Sequence, residues 1–376
     1  MLRMSLLKKS VAGLAILQAF GINAVTADDF QYQFREINIP HASADEPLRE
    51  EFSAQAASEY LEQGSAAWSG SRRCVSCHTN GTYMTIRPAL SESLGKPPAS
   101  HRDFFVEQLH RLQAQPESRL KQSTRPAQVI YIAGGLAEWD RHVSGSLSAE
   151  TDEALRLMLS LQLETGTWGS LDCWPPFESD AFHEATVAAM AIATAPGWLE
   201  SVKDDGNVTE RINRLHRYLR TENPPHDYGR VLLLWAAARS PELLQNGQVE
   251  TLTKLLVSKQ HADGSWAIRD FASPEEWGGG NRAEKLRAEP DLETPAGDGH
   301  MTGLAIIVLR ESGHAAEVPE ITRAVNWLKR HQQQSGRWWT RSLNTDAWHF
   351  ITYSGTAYPL RALQLCGEVR RLSVSR

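Results

Sequence analysis

Apolar residues recur along most of this chain at intervals of three and four, with polar residues between them. Leu155, Met158, Leu159 and Leu161, then Leu252, Leu255 and Leu256, then Val325, Trp327 and Leu328 keep this spacing, which places each set on one stripe of a helix. With Pro224-Pro225 and Gly278-Gly279-Gly280 among the breakers, the pattern predicts six helical hairpins. They are residues 54–68 with 83–93, 103–114 with 126–139, 149–162 with 181–194, 208–220 with 228–239, 248–260 with 300–312, and 319–332 with 354–366. The expected fold class is all-α.

Three of these hairpins carry the same turn. Gln162-Leu-Glu-Thr-Gly166-Thr-Trp168, Gln260-His-Ala-Asp-Gly264-Ser-Trp266 and Gln332-Gln-Gln-Ser-Gly336-Arg-Trp338 share Gln-x-x-x-Gly-x-Trp without a gap. Each follows a helical stripe, so the glycine is placed to supply the positive φ that stops a helix, and the tryptophan to cover the turn. These segments resemble the QW repeats of the squalene-hopene cyclase and protein prenyltransferase superfamily, over most of residues 50–366. The resemblance implies an α/α toroid of inner and outer helices, which six hairpins would close, with inner-helix N-termini rimming a central cavity.

The family's chemistry does not follow the scaffold. The Asp-x-Asp-Asp motif of squalene-hopene-type cyclases is missing, Asp204-Asp205 being only a doublet. The prenyltransferase zinc set needs a cysteine two residues after its aspartate, and Asp298-Gly299-His300 lacks it, although His349 could join that run around a metal. Function has to be argued from sites on the scaffold.

The most specific site in the sequence is Cys74-Val75-Ser76-Cys77-His78. Two thiols at this spacing can add across the vinyl groups of a haem while the histidine ligates the iron. A Cys-x-x-Cys redox pair would not need the adjacent histidine, and a zinc site would need further ligands at metal spacing. The expected cofactor is one covalent haem c, with His78 the proximal ligand and Met84 a weak distal candidate beside His101, His110, His300 and His349. Gly81-Thr82-Tyr83 aligns with Gly166-Thr167-Trp168 and puts Cys77 at the Gln162 position, so the attachment site reads as a modified repeat turn within the first hairpin. Trp68 or Tyr83 would pack on the haem edge.

The N-terminus agrees with a haem attached outside the cytoplasm. Lys8 and Lys9 precede an apolar stretch from Val11 to Val25, and Val25-Thr26-Ala27 offers small residues before Asp28, the layout of a cleavable secretory signal. Gln18, Gly21 and Asn23 interrupt the stretch, leaving it short of the roughly 20 apolar residues that span a bilayer. The expected organisation is a signal peptide over 1–27, an extension over 28–50, a haem-bearing first hairpin over 51–98 and the rest of the toroid over 99–370, in a periplasmic or otherwise exported protein with no integral membrane span in the mature chain.

A formal charge of −6 argues against nucleic acid as a partner and would steer a basic one. The remaining cysteines, Cys173 and Cys366, could form a disulfide or stay as buried thiols. Glu178, Asp180, His183 and Glu184 follow the first full repeat. They could cap a helix or, with the segments at Asp298-His300 and Asp346-His349, form an acid/base-capable mouth to the cavity.

Two functions are expected from this set. One is an exported c-type cytochrome passing electrons to a redox partner protein or a small-molecule donor or acceptor. The other is a haem-dependent enzyme acting on an apolar or carbohydrate-like substrate in the toroid cavity, with Glu178, Asp180, His183 and His300 as weak catalytic candidates. Polysaccharide lyases also use toroids, which leaves a non-redox reading open on fold analogy alone.

Overall fold

The computed structural model describes residues 30–169, 175–177, 180–245, 247–345 and 348–369. The signal segment 1–27 and Cys173, Glu178 and Asp346 lie outside these described residues. Among the described residues, eleven longer helices and one short turn of helix alternate between two layers. The outer layer holds α1 (Ala54–Arg72), α3 (Ala99–Gln113), α5 (Ala149–Ser160), α7 (Gly206–Thr221), α9 (Gln248–Ser258) and α11 (Pro319–Arg330). The inner layer holds α2 (Thr82–Ile86), α4 (Arg125–Trp139), α6 (Ala181–Thr194), α8 (Asp227–Arg239), α10 (Gly299–Glu311) and α12 (Ser354–Leu365).

The inner helices close on themselves. Helix α2 packs on α4, α4 on α6, α6 on α8, α8 on α10, α10 on α12, and α12 back on α2. This closed ring is an α/α toroid of six hairpins. The sequence explains the layering: α7 and α11 are polar with a single apolar stripe, whereas α6 and α10 are apolar on nearly every face and buried almost throughout, which suits the inner position.

The three repeat turns are near copies. Gly166, Gly264 and Gly336 have φ of 97°, 95° and 94°, a left-handed conformation that glycine adopts without a Cβ clash. A Cβ there would also strike the next outer helix, at 2.5 Å from the Arg214 carbonyl oxygen for Gly166 and 2.4 Å from the Ala56 backbone for Gly336. The glutamine Nε2 donates to the glycine carbonyl of its own turn and to a backbone carbonyl in or capping the next outer helix: Arg211, Glu320 and Ser53 for Gln162, Gln260 and Gln332. Gln332 thus ties α11 to the start of α1. Trp168, Trp266 and Trp338 donate Nε1 to the Met158, Leu256 and Leu328 carbonyls at 2.8, 2.8 and 2.7 Å, so each indole satisfies a helix-end carbonyl while burying its ring.

Two expectations need correction. The fold is not purely helical, because Phe30–Phe34 (β1) and Ile37–Pro40 (β2) form an antiparallel hairpin. The alternation of Phe30, Tyr32 and Phe34 is a period-2 signal, and it buries Tyr32 against Trp68, Phe350 and Tyr353. The Cys74–His78 segment is also not a repeat turn. Gly81 has φ −63° rather than a positive φ, and Cys77–Gly81 is a wide π-helical turn leading directly into α2. Gly81 is required for space instead, since a Cβ would lie 2.4 Å from the Ser76 carbonyl oxygen.

Candidate functional site

Cys74, Cys77 and His78 sit together on one wall of a groove of about 410 Å³, within the roughly 300–1,000 Å³ typical of small-molecule and cofactor sites. The segment follows α1, whose last residues are capped by Arg73 in the left-handed conformation. Buried Asn80 then pins the loop: its Oδ1 accepts from the Ser76 amide at 2.8 Å, and its Nδ2 donates to the Cys74 carbonyl at 3.1 Å. The Trp68 indole donates to the same carbonyl at 3.0 Å, and the Thr82 hydroxyl to the Cys77 carbonyl at 2.7 Å. The two thiol-bearing residues are therefore held by side chains from both flanking helical segments.

The His78 ring is oriented from three sides. Phe350 stacks on it at 4.8 Å and 9°, and Trp68 meets it edge-on at 4.8 Å and 87°. Its Nδ1 hydrogen-bonds Thr79 Oγ1 at 2.7 Å, and Tyr32 holds that hydroxyl at 3.0 Å. Among the described residues no hydrogen bond reaches Nε2, so the arrangement fixes the ring through one nitrogen and leaves the other for an incoming ligand, as metal-ligating histidines require. Burial pushes the imidazole down to about 3, which keeps it neutral and ligand-competent at neutral pH. Trp68, Val75, Phe350 and Trp348 supply apolar walls, and Trp348 is 47% exposed.

These residues fit a covalent haem c. The donor set is two cysteines and a neutral, oriented imidazole, and the walls present flat aromatic faces to a flat macrocycle. Cys74 and Cys77 would carry the attachment and His78 the iron; such a group, when bound, supplies one-electron chemistry or a small-ligand site.

The toroid axis is built differently. Its N-terminal mouth is plugged by Phe177, which packs on His183 and His300 at 5.9 and 6.0 Å, with Tyr228 and Trp277 behind. Tyr228 hydrogen-bonds His300 Nε2 at 3.0 Å, Ser354 takes His300 Nδ1 at 2.7 Å, and Tyr131 meets His183 Nε2 at 3.3 Å. Burial holds His183 and His300 below the ordinary histidine value, His300 at about 3. At the other end Arg239 pairs with Glu138 and Glu311, and Arg361 with Glu311. Burial would raise Glu138, but Arg239 and His142 outweigh it and lower it to about 2. Between the two ends, among the described residues, lies a cavity of about 40 Å³ lined by residues such as Tyr131, His183, Met190, Trp235 and Tyr358, which is room for a few water molecules.

The sequence-derived candidates separate accordingly. Asp180 caps α6, its Oδ1 accepting from the His183 amide at 2.7 Å; burial raises its carboxyl, but the bond to His226 and the charges of His183 and His226 hold it low overall. Asp298 caps α10 through the Met301 amide and accepts from the Ile268 amide, while burial lifts it to about 6. His349 packs on Trp339 at 4.5 Å and shares a groove of about 500 Å³ with Asp298, which His300 does not line. Among the described residues no group of three or more His, Cys, Asp or Glu is placed to hold a metal ion.

Of the distal candidates, Met84 is fully buried and packs on α4 beside Gly135. His101 bonds Ser65, His110 faces solvent and His300 lies on the axis. None of these lines the Cys74–His78 groove. Tyr83 packs on His101 at 4.4 Å, so Trp68 alone of the expected pair reaches the groove. Tyr32, Thr79, Asn80, Trp348 and Phe350 were not legible as site residues; the strand alternation at Tyr32 was the one local signal, and Phe350 arrives only through ring closure. No helix among the described residues is long and apolar enough to cross a membrane.

No protein-family model matches the sequence, and no curated protein matches it. Similar solved structures include an ent-copalyl diphosphate synthase from Streptomyces platensis (14% identity, TM-score 0.48, covering 77% of this chain and 50% of that one). Others are the polysaccharide lyase BACCELL_00875 (10% identity, TM-score 0.49, 84% and 97% covered) and the type II terpene cyclase MstE from Scytonema (12% identity, TM-score 0.44, 82% and 97% covered). This chain spans half the length of the copalyl diphosphate synthase. The toroid itself rests on the closed ring of inner helices.

Proposed function

We propose that this chain is an exported c-type haem protein that transfers electrons from a haem held in the first hairpin of an α/α toroid. The observation that carries this reading is the contrast in space and chemistry between two regions. Cys74, Cys77 and an oriented, neutral His78 share an open aromatic groove, whereas on the axis, where a cyclase-like substrate would have to sit, the described residues leave a cavity of about 40 Å³. Asp180 and Asp298 serve helix ends, and His183 and His300 have tyrosine partners, so the catalytic candidates Asp180, His183 and His300 already have structural work.

A second reading has its own support. No second histidine or methionine lines the groove among the described residues, which favours a haem with an open sixth position, and hence a haem-dependent enzyme working at the groove rather than in the axial cavity. The optical spectrum of the exported protein, oxidised and reduced, with and without carbon monoxide, separates the two. Reversible reduction with no response to carbon monoxide supports electron transfer. A carbon monoxide shift moves the assignment to the enzyme, and a spectrum without haem sinks both.

A further inference from the structure

A second groove, of about 660 Å³, opens beside the first and shares Arg72, Cys74, Thr124 and Gln128 with it. Its lining has the opposite character to the protein as a whole. Arg72, Arg73, Arg111, Arg119 and Arg125 face it, and Glu107 is its only carboxylate, on a chain with a formal charge of −6. Glu107 is spent on Arg73 at 3.1 Å. Among the described residues Arg72, Arg111, Arg119 and Arg125 have no carboxylate within ion-pair distance.

The arginines come from three separate stretches, and backbone contacts set their places. Arg73 caps α1 in the left-handed conformation, and Arg111 on α3 donates to the Arg73 carbonyl at 3.0 Å. Arg119 follows α3, and Arg125 begins α4 and is half-buried. A second feature points to a ligand. Gln108, 3% exposed, lines the same groove, and its buried Nε2 donor meets no acceptor among the described residues. A buried amide without a partner is costly until an acceptor arrives, and guanidinium forks match the paired oxygens of a carboxylate, as they do those of a phosphate.

The groove also has a short physical path to the haem position. The Arg72 guanidinium lies over the Trp68 ring at 5.9 Å, and Trp68 meets the His78 ring at 4.8 Å.

We propose that this arginine-lined groove is the docking surface for an acidic redox partner protein, whose Asp and Glu side chains pair with Arg72, Arg111, Arg119 and Arg125 and reach Gln108. The proposal rests on the haem reading above. One electron passes between the partner's redox centre and the haem iron, and the arginines transfer neither proton nor group. Net charge alone points to a basic partner, and the local charge reverses that because exposed charges beyond about 10 Å are screened at 0.1 M salt.

An oligoglutamate peptide serves as the probe, with binding followed by anisotropy on the wild type and on the Arg111→Ala/Arg119→Ala/Arg125→Ala variant at rising salt. The expected result is binding that weakens at least about tenfold in the variant and falls steadily with salt, with Gln108→Leu weakening it less. Haem content, read separately from the denatured spectrum, stays unchanged in the triple variant. Binding indifferent to the substitutions or to salt overturns the proposal. So does inorganic pyrophosphate displacing the peptide at equal or lower concentration, which would mark a small-anion site. Loss of the haem reading shows in the denatured spectrum of the wild type, independently of the binding curve.

Discussion

The groove at Cys74–His78 and the axis of the toroid are both lined by histidines and aromatic rings, yet they are opposite in construction. On the axis His300 is held at both nitrogens, by Tyr228 and Ser354, and His183 meets Tyr131 through Nε2, and the cavity between them and the far end, among the described residues, is about 40 Å³. In the groove His78 is held through Nδ1 and its faces, beside about 410 Å³ of space and a half-exposed tryptophan. Histidine and aromatic content therefore does not locate the site. The locating feature is an oriented ring with an uncommitted nitrogen next to open volume.

Substitutions at the two histidines should break this comparison most sharply. His78→Ala is expected to change the haem spectrum of the exported protein wholly, while His300→Ala leaves it unaltered and costs stability of about 1–3 kcal/mol through the unpaired Tyr228 hydroxyl. Equal spectral effects from both would erase the distinction drawn here. Next in size, Trp266→Ala should lower unfolding free energy by ~3–5 kcal/mol, because it removes a fully buried ring and the bond to the Leu256 carbonyl. Urea unfolding followed by circular dichroism measures it, and a loss under about 1 kcal/mol would contradict the repeat turn's structural role.

Acid should act through the axis. Burial depresses His300 to about 3 in the folded state, against about 6.5 in the unfolded chain. The unfolded chain then binds the extra proton, so this contribution is complete above about pH 6.5 and is lost as pH falls towards 3, at up to ~1.4 kcal/mol per pH unit. Urea midpoints measured across that window should show a shallower slope in His300→Asn than in the wild type; identical slopes would mean His300 titrates normally. The smallest expected effect is at Gly81→Ala. The added methyl meets the Ser76 carbonyl oxygen, and overpacking of about 1–3 kcal/mol in the turn should reduce haem loading in the exported protein while Gly134→Ala, whose Cβ has 3.4 Å to its nearest neighbour, leaves loading unchanged.

Much of this architecture was legible in the chain. Helical periodicity placed the hairpins to within a few residues, because outer helices such as α11 carry a clean apolar stripe and turns such as Gly336 are set by local backbone needs. Turn chemistry failed at Gly81, where Gly-x-aromatic matched the repeat by letter but the backbone is right-handed and the glycine answers a contact with Ser76 and Tyr131. The alternation at Phe30, Tyr32 and Phe34 carries a strand within the expected extension 28–50. The small axial cavity and the placing of Phe350 on His78 were not readable, since both depend on which distant segments meet when the ring closes. The arginine groove was hidden for the same reason, its charges being drawn from α1, α3 and α4 and masked by an acidic total.

The most direct test of the central claim is peptide mass spectrometry of the exported protein after denaturation and proteolysis. The account predicts that the peptide containing Cys74-Val75-Ser76-Cys77-His78 carries the mass of one haem on its two thiols. An exported protein in which that peptide is recovered with both cysteines unmodified would contradict it.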